Sequence, residues 1–120
     1  HQIALIAEDS EAGHMMGFAR LTKVGDGKTA DLKMLIGDAY HGQGLGTALI
    51  QTLKKIAAKE GIRRITATIL SENNGMLRLL QKEGFTLTQD RSGPYTYAEG
   101  LLQLNWLHLL LIYNHDHHRA

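Results

Sequence analysis

The chain has 120 residues and carries 13 Lys and Arg against 12 Asp and Glu, a formal net charge of +1 at pH 7. This length predicts one domain with its own core, and the near-neutral charge argues against nucleic acid or an anionic membrane as a partner. The absence of cysteine excludes disulfides, thiolate metal sites and a cysteine nucleophile, and it is compatible with a cytoplasmic location.

The first third of the chain predicts three consecutive antiparallel strands. Residues 3–8, 14–23 and 29–37 are rich in Ile, Leu, Met and Phe, and VGDGK at 24–28 supplies a hairpin turn. Because side chains alternate along a strand, the third strand has two distinct faces. One face carries Ala30, Leu32, Met34 and Ile36, and the other carries Asp31, Lys33 and Leu35.

A helix, a strand, a second helix and two more strands are predicted to follow. Apolar residues at helical spacing begin at Leu45 and end before Gly61, and residues 63–70 alternate as a strand. The segment NNGMLRLLQKEG predicts the second helix, and FTLTQD and YTYAEGLLQL predict strands joined by RSGP. Because strand-helix-strand crossovers favour parallel pairing, we expect an α/β fold with a mixed, mostly antiparallel sheet and flanking helices.

The stretch YHGQGLGTALIQTL, residues 40–53, places Gly42, Gly44 and Gly46 where the first helix begins. It is explained either by a tight turn or by an anion held against the unpaired N–H groups and the positive end of the helix dipole. Its G-x-G-x-G spacing differs from the dinucleotide-binding G-x-G-x-x-G, and the Lys-Ser/Thr of a phosphate loop is absent. The residues alone leave both interpretations open.

Residues 31–85 as a whole resemble the GNAT superfamily of acyl-CoA-dependent N-acyltransferases. HGQGLG at 41–46 takes the position of that superfamily's Gln/Arg-x-x-Gly-x-Gly/Ala loop, and the segment from Asn73 and Met76 to Gly84 and Phe85 resembles its second helix and the following turn. The resemblance implies a GNAT fold and acetyl-CoA as co-substrate, with no metal. It implies a cofactor site made of Leu35, Ile36, His41, Gly42, Gln43, Gly44, Leu45, Gly46, Thr47 and Asn73.

Within the superfamily, the sequence is most similar to the acyltransferase domain of bacterial Pat-type protein lysine acetyltransferases. This similarity implies acetyl transfer to a primary amine, with a protein lysine favoured as acceptor. A small-molecule amine acetyltransferase and a non-catalytic acyl-CoA-binding module are the alternatives. It also implies that Asp31 takes the place of a glutamate general base and that backbone N–H groups near Ile36 polarise the thioester. Without cysteine, direct transfer in a ternary complex is expected.

Three positions have a second interpretation, and a fourth, Leu80, departs from the superfamily pattern. His41 stands where the superfamily usually has Gln or Arg, so the backbone alone would also explain anion binding. Asp31 is one methylene shorter than glutamate and is also explained as an exposed strand carboxylate. Leu80 occupies the place of a tyrosine that many relatives use to protonate the thiolate. Asn73 is equally well explained as the N-cap of the second helix.

The chain is predicted to consist of an acyltransferase domain, residues 1–104, and an extension, residues 105–120, whose role the sequence leaves open. Relatives usually have a further strand and helices before IALIAE, so the domain is expected to be incomplete at its N-terminus. The HDHH stretch at 115–118 is typical of a solvated tail rather than a metal site. A homodimer is compatible with the resemblance.

Overall fold

The structure is a computed structural model and describes residues 2–11 and 13–102. The elements follow the predicted order of three strands, a helix, a strand, a helix and two strands. Their bounds are β1 Gln2–Glu8, β2 Met15–Val24, β3 Thr29–Ile36, α1 Leu45–Lys59, β4 Arg64–Leu70, α2 Asn74–Lys82, β5 Thr86–Gln89 and β6 Tyr95–Leu101, with a 3-10 turn at Asp38–Tyr40. The predicted boundary at residue 104, the extension and the HDHH stretch lie outside the described residues.

The six strands form one sheet in the order β1-β2-β3-β4-β6-β5. Every neighbouring pair is antiparallel except β3 and β4, so the predicted mixed, mostly antiparallel sheet is confirmed. The first crossover, through α1, joins parallel neighbours as expected. The second, through α2, does not, because β6 pairs with β4 along its full length and leaves the short β5 at the edge.

The parallel ladder between β3 and β4 is only three residue pairs long and ends at Asp31 and Thr66. Beyond that point β3 remains paired with β2 and β4 remains paired with β6. The sheet therefore opens between residues 32–36 of β3 and residues 67–70 of β4, which we call the fork. Backbone groups on the inner sides of the fork have no strand partner there.

Both helices contribute to one hydrophobic core on the same side of the sheet. The core contains the alternate strand residues Ala19, Leu21, Ala30, Leu32, Ile65, Ala67 and Ala98, the α1 residues Leu49, Ile50, Leu53 and Ala57, and Leu80 of α2. The predicted alternation in β3 is confirmed, since Lys33 and Leu35 are exposed. The opposite side, which we call the open face, carries Arg20, Asp31, Lys33, Leu35 and Thr66. Within the described ranges, no helix is long and apolar enough to cross a membrane.

Gly100 lets β6 pack closely against the aromatic ring of Phe85. A Cβ atom at Gly100 would lie 2.9 Å from the ring, and Gly100 is buried. We expect Gly100→Ala to lower the free energy of unfolding by about 1–3 kcal/mol, because a ring cannot move aside without disturbing the core. Urea unfolding measures this. Gly75→Ala in α2, where the nearest atom is 4.0 Å away, should cost nothing, and equal stability of the two variants would contradict the explanation.

Candidate active site

A pocket of about 470 Å³ lies where the open end of the fork meets the first turns of α1 and α2. The end of β3 forms one wall, the loop into α1 forms the second, and α2 forms the third. The lining residues are Met34, Leu35, Ile36, Asp38, Tyr40, His41, Gly42, Gly44, Leu45, Gly46, Thr47, Asn73, Gly75, Met76 and Leu79. The predicted cofactor residues other than Gln43 are thus brought together around one opening.

The first turn of α1 presents unpaired N–H groups to this pocket. The helix begins after Gly44, whose backbone is left-handed (φ 80°, ψ 4°), and its first internal hydrogen bond is the 3.0 Å bond from the Ala48 N–H to the Gly44 carbonyl. The N–H groups of Leu45, Gly46 and Thr47 therefore have no intrahelical acceptor. No side chain caps this end, and no acidic residue lies in the first turn. The turn is open to an external anion.

The three glycines of the loop have different structural roles. A Cβ atom at Gly42 or Gly44 would meet nothing within 4 Å, and both residues have a positive φ. A Cβ atom at Gly46 would lie 2.8 Å from Cδ2 of Leu79. Glycine is therefore needed at position 46 because α1 and α2 approach each other closely there. At Gly42 and Gly44 it is needed because the backbone is left-handed, and no other atom of the chain occupies the adjacent space.

The His41 ring fixes the loop to the end of β3. Its Nε2 lies 2.8 Å from the Ile36 carbonyl oxygen, and because a carbonyl only accepts, Nε2 carries the proton. In the neutral ring Nδ1 is then an acceptor and offers nothing to an anion. Gln43 donates from Nε2 to the Ala39 carbonyl at 3.1 Å and so stabilises its own loop.

We expect His41→Ala to weaken acetyl-CoA binding by about 3- to 10-fold in Kd, the value of one ordinary hydrogen bond. The bond is exposed, and its loss frees the loop without removing any backbone donor. His41→Gln can still reach the Ile36 carbonyl and should bind nearly as well as the wild type. Calorimetric titration separates the three proteins. An alanine variant with unchanged affinity would show that the loop does not depend on this ring.

Asn73 and Leu80 have clear structural roles at α2. Asn73 accepts the Met76 N–H on its Oδ1 at 3.2 Å, so the N-cap interpretation is confirmed, and the residue also lines the pocket. Leu80 is fully buried in the core. Tyr40 is the one tyrosine among the residues that line the pocket.

Asp31 does not line the pocket. It sits on the open face at the base of the fork, in the last pair between β3 and β4, and its Oδ1 accepts the Thr66 hydroxyl at 3.3 Å. Leu35, four residues further along the same face, does line the pocket. The backbone positions of Asp31 and Leu35 are therefore about 13 Å apart along β3.

Sequence reasoning missed several lining residues. Met34, Asp38, Tyr40, Gly75, Met76 and Leu79 all line the pocket. The helical spacing of Met76 and Leu79 was visible, but it indicated only an apolar face. In the part of the chain that the structure describes, no three His, Asp or Glu side chains are grouped as metal ligands.

Comparison with known proteins assigns residues 1–85 to the family model described as the acetyltransferase (GNAT) family. YwnH of Bacillus subtilis strain 168, provisionally named a phosphinothricin acetyltransferase, is 40% identical over 58 residues, 48% of this chain and 36% of its own. Acetyltransferase Pat of Mycolicibacterium smegmatis is 26% identical over 89 residues, 73% of this chain and 27% of its own. The chain thus spans about a third or less of these relatives.

Solved structures share the fold. The GNAT domain of S. lividans PAT superposes with a TM-score of 0.76 at 25% identity, covering 84% of this chain and 61% of that one. The structure of yncA from Salmonella typhimurium, described as an acetyltransferase with its cofactor acetyl-CoA, has a TM-score of 0.71 at 26% identity. It covers 85% of this chain and 65% of its own. The predicted GNAT fold is confirmed.

Proposed function

Because the chain belongs to the GNAT acetyltransferase family, we propose that it binds acetyl-CoA in the pocket and transfers the acetyl group to a primary amine. The observation that carries this proposal is the uncapped first turn of α1, with its free N–H groups, beside the fork. The N–H groups of Leu45, Gly46 and Thr47 would hold the pyrophosphate. A protein lysine is the favoured acceptor, on the basis of the similarity to acetyltransferase Pat and the S. lividans PAT domain.

The fork supplies groups suited to acyl transfer. Residues 32–36 of β3 have no strand partner on the side that faces β4, so backbone N–H groups near Ile36 that point away from β2 are available to polarise the thioester carbonyl. Acetyl-CoA supplies the activated acyl group, and coenzyme A leaves as a thiolate that takes up a proton from solvent. The amine nitrogen forms the new C–N bond as the C–S bond breaks, and one proton leaves the amine.

We propose that Asp31 accepts this proton. Its Oδ1 is held by Thr66, which leaves Oδ2 for the amine or for a water. Because Asp31 does not line the pocket and the separation along β3 is too long for one water, the proton would reach Oδ2 through a chain of waters in the fork. Because the sequence has no cysteine that could carry the acyl group, we propose direct transfer in a ternary complex. The lack of cysteine is also compatible with a reducing cytoplasmic location.

Release of the coenzyme A thiol from acetyl-CoA tests the function. We expect release to depend on an added amine and to be faster with lysine peptides than with polyamines or aminoglycosides. Preference for a small amine would favour the alternative suggested by the similarity to YwnH. Acetyl-CoA binding without amine-dependent release would identify a non-catalytic acyl-CoA-binding module and overturn the enzymatic proposal.

A further inference from the structure

Two cationic side chains stand directly opposite each other on the open face. Arg20 of β2 pairs with Lys33 of β3, and both point away from the helices because their neighbours Ala19, Leu21 and Leu32 are buried in the core. Like charges in directly opposed positions destabilise a sheet. The stability of the fold therefore gives no reason for this pair.

Neither Arg20 nor Lys33 forms an ion pair within residues 2–11 and 13–102. Nε of Arg20 is buried without a hydrogen-bond acceptor, and the ion pairs formed there, Lys23 with Glu60 and Arg64 with Glu99, include neither residue. A buried charged donor left unsatisfied is costly. An acidic group from outside the chain would meet the exposed ammonium of Lys33 and the solvent-facing part of the half-buried Arg20 side chain, not the buried Nε itself.

The Arg20–Lys33 pair lies between the proposed base and the pocket. Asp31 pairs with Thr22 across β2 and β3, and Arg20 and Lys33 are each two residues, about 7 Å, further along the same face. Leu35, which lines the pocket, comes two residues after Lys33. An acceptor whose amine approaches the fork near Asp31 would place its neighbouring groups against the pair.

We propose that Arg20 and Lys33 bind an anionic group of the acceptor, so that the chain acetylates amines that are accompanied by a carboxylate or similar acid. This rests on the proposed function and specifies its acceptor. The acid comes either from a free amino acid or from an acidic residue beside a lysine of a protein. Both sources present a primary amine accompanied by a carboxylate, at a short separation in a free amino acid and at a longer one in a protein.

Two matched pairs of acceptors distinguish the sources. The first is 4-aminobutanoate against 4-aminobutanamide, and the second is a peptide with Lys-Asp against the same peptide with Lys-Asn. With the wild type we expect kcat/KM to be at least about 10-fold higher for the anionic member of one pair or both. A preference in only the first pair indicates a free amino acid, and a preference in only the second indicates a protein.

Lys33→Met and Arg20→Met should reduce that preference to about 2-fold or less, by lowering kcat/KM for the anionic members more than for the neutral members. Lys55→Met removes an exposed lysine of α1 and serves as the matched control, which should keep the preference. Because Lys33→Met relieves a like-charge contact, it should not lower the free energy of unfolding. A preference that survives in Lys33→Met and Arg20→Met, or no preference in the wild type, overturns the proposal.

A binding experiment tests the anion site independently of the proposed enzymatic function. Should no amine be acetylated, 4-aminobutanoate is titrated by NMR into the acetyl-CoA-saturated wild type, Lys33→Met and Lys55→Met. Saturable binding that only Lys33→Met loses would support the anion site although the enzymatic function fails. Absence of saturable binding to the wild type would overturn the anion site.

Discussion

Gly44→Val is expected to abolish acetyl-CoA binding, raising Kd by about 100-fold or more. Gly44 precedes α1 with φ 80°, a conformation that a β-branched residue rarely adopts. A Cβ atom at Gly44 would have no other atom within 4 Å. A valine side chain would therefore stand in the space that we assign to the pyrophosphate. Moving the loop would displace the N–H groups of Leu45 to Thr47, and each charge-assisted hydrogen bond lost is worth 10-fold or more.

The other end of the same helix provides a matched control. Gly61 has φ 81°, and a Cβ there would also meet nothing within 4 Å, so Gly61→Val imposes similar backbone strain away from the pocket. Urea unfolding should show comparable destabilisation in the two variants, about 1–3 kcal/mol. Calorimetry should show lost binding only for Gly44→Val. Equal acetyl-CoA affinity of two folded variants would refute the anion site.

Local sequence signals predicted the helices and strands, but they did not predict every pairing between strands. The sequence predicts that α1 and α2 stop at Gly61 and Gly84, because a glycine just after a helix readily adopts a left-handed backbone. Both glycines have a positive φ in the structure. The placement of β6 between β4 and β5 depends on pairing across the sheet, such as Ala67 with Ala98. No local pattern encodes that pairing.

The candidate site also has a part that the sequence predicts and a part that requires the three-dimensional structure. The loop from His41 to Thr47 is continuous in sequence, so its glycines and the helix that follows predicted an anion site as one of two interpretations, and the resemblance to the superfamily favoured it. The hydrogen bond from His41 to Ile36 required the three-dimensional path of the loop. The Arg20–Lys33 pair could not be predicted from the sequence either, because the two residues are far apart in the chain. Only the register of β2 and β3 shows that they are opposite each other.

Asp31→Asn is expected to reduce kcat by about 100-fold or more while leaving acetyl-CoA affinity unchanged. Removal of a general base typically costs this much, and Asp31 is not among the residues that line the pocket. Asparagine keeps the size of the side chain and an oxygen for the Thr66 hydroxyl, so the fold should be retained. Steady-state thiol release and calorimetry on the same preparation give the two values.

Two further variants separate a base from a merely structural carboxylate. Asp31→Glu adds one methylene, shortens the path to the amine and should retain or exceed wild-type turnover. Thr66→Val removes the 3.3 Å hydrogen bond to Asp31 but leaves the charge, so it should cost only a few-fold in kcat. If Asp31→Asn turns over as fast as Asp31→Glu, the proton leaves by another route. If Thr66→Val is as damaging as Asp31→Asn, the pair serves to join β3 to β4 at the base of the fork rather than to carry the proton.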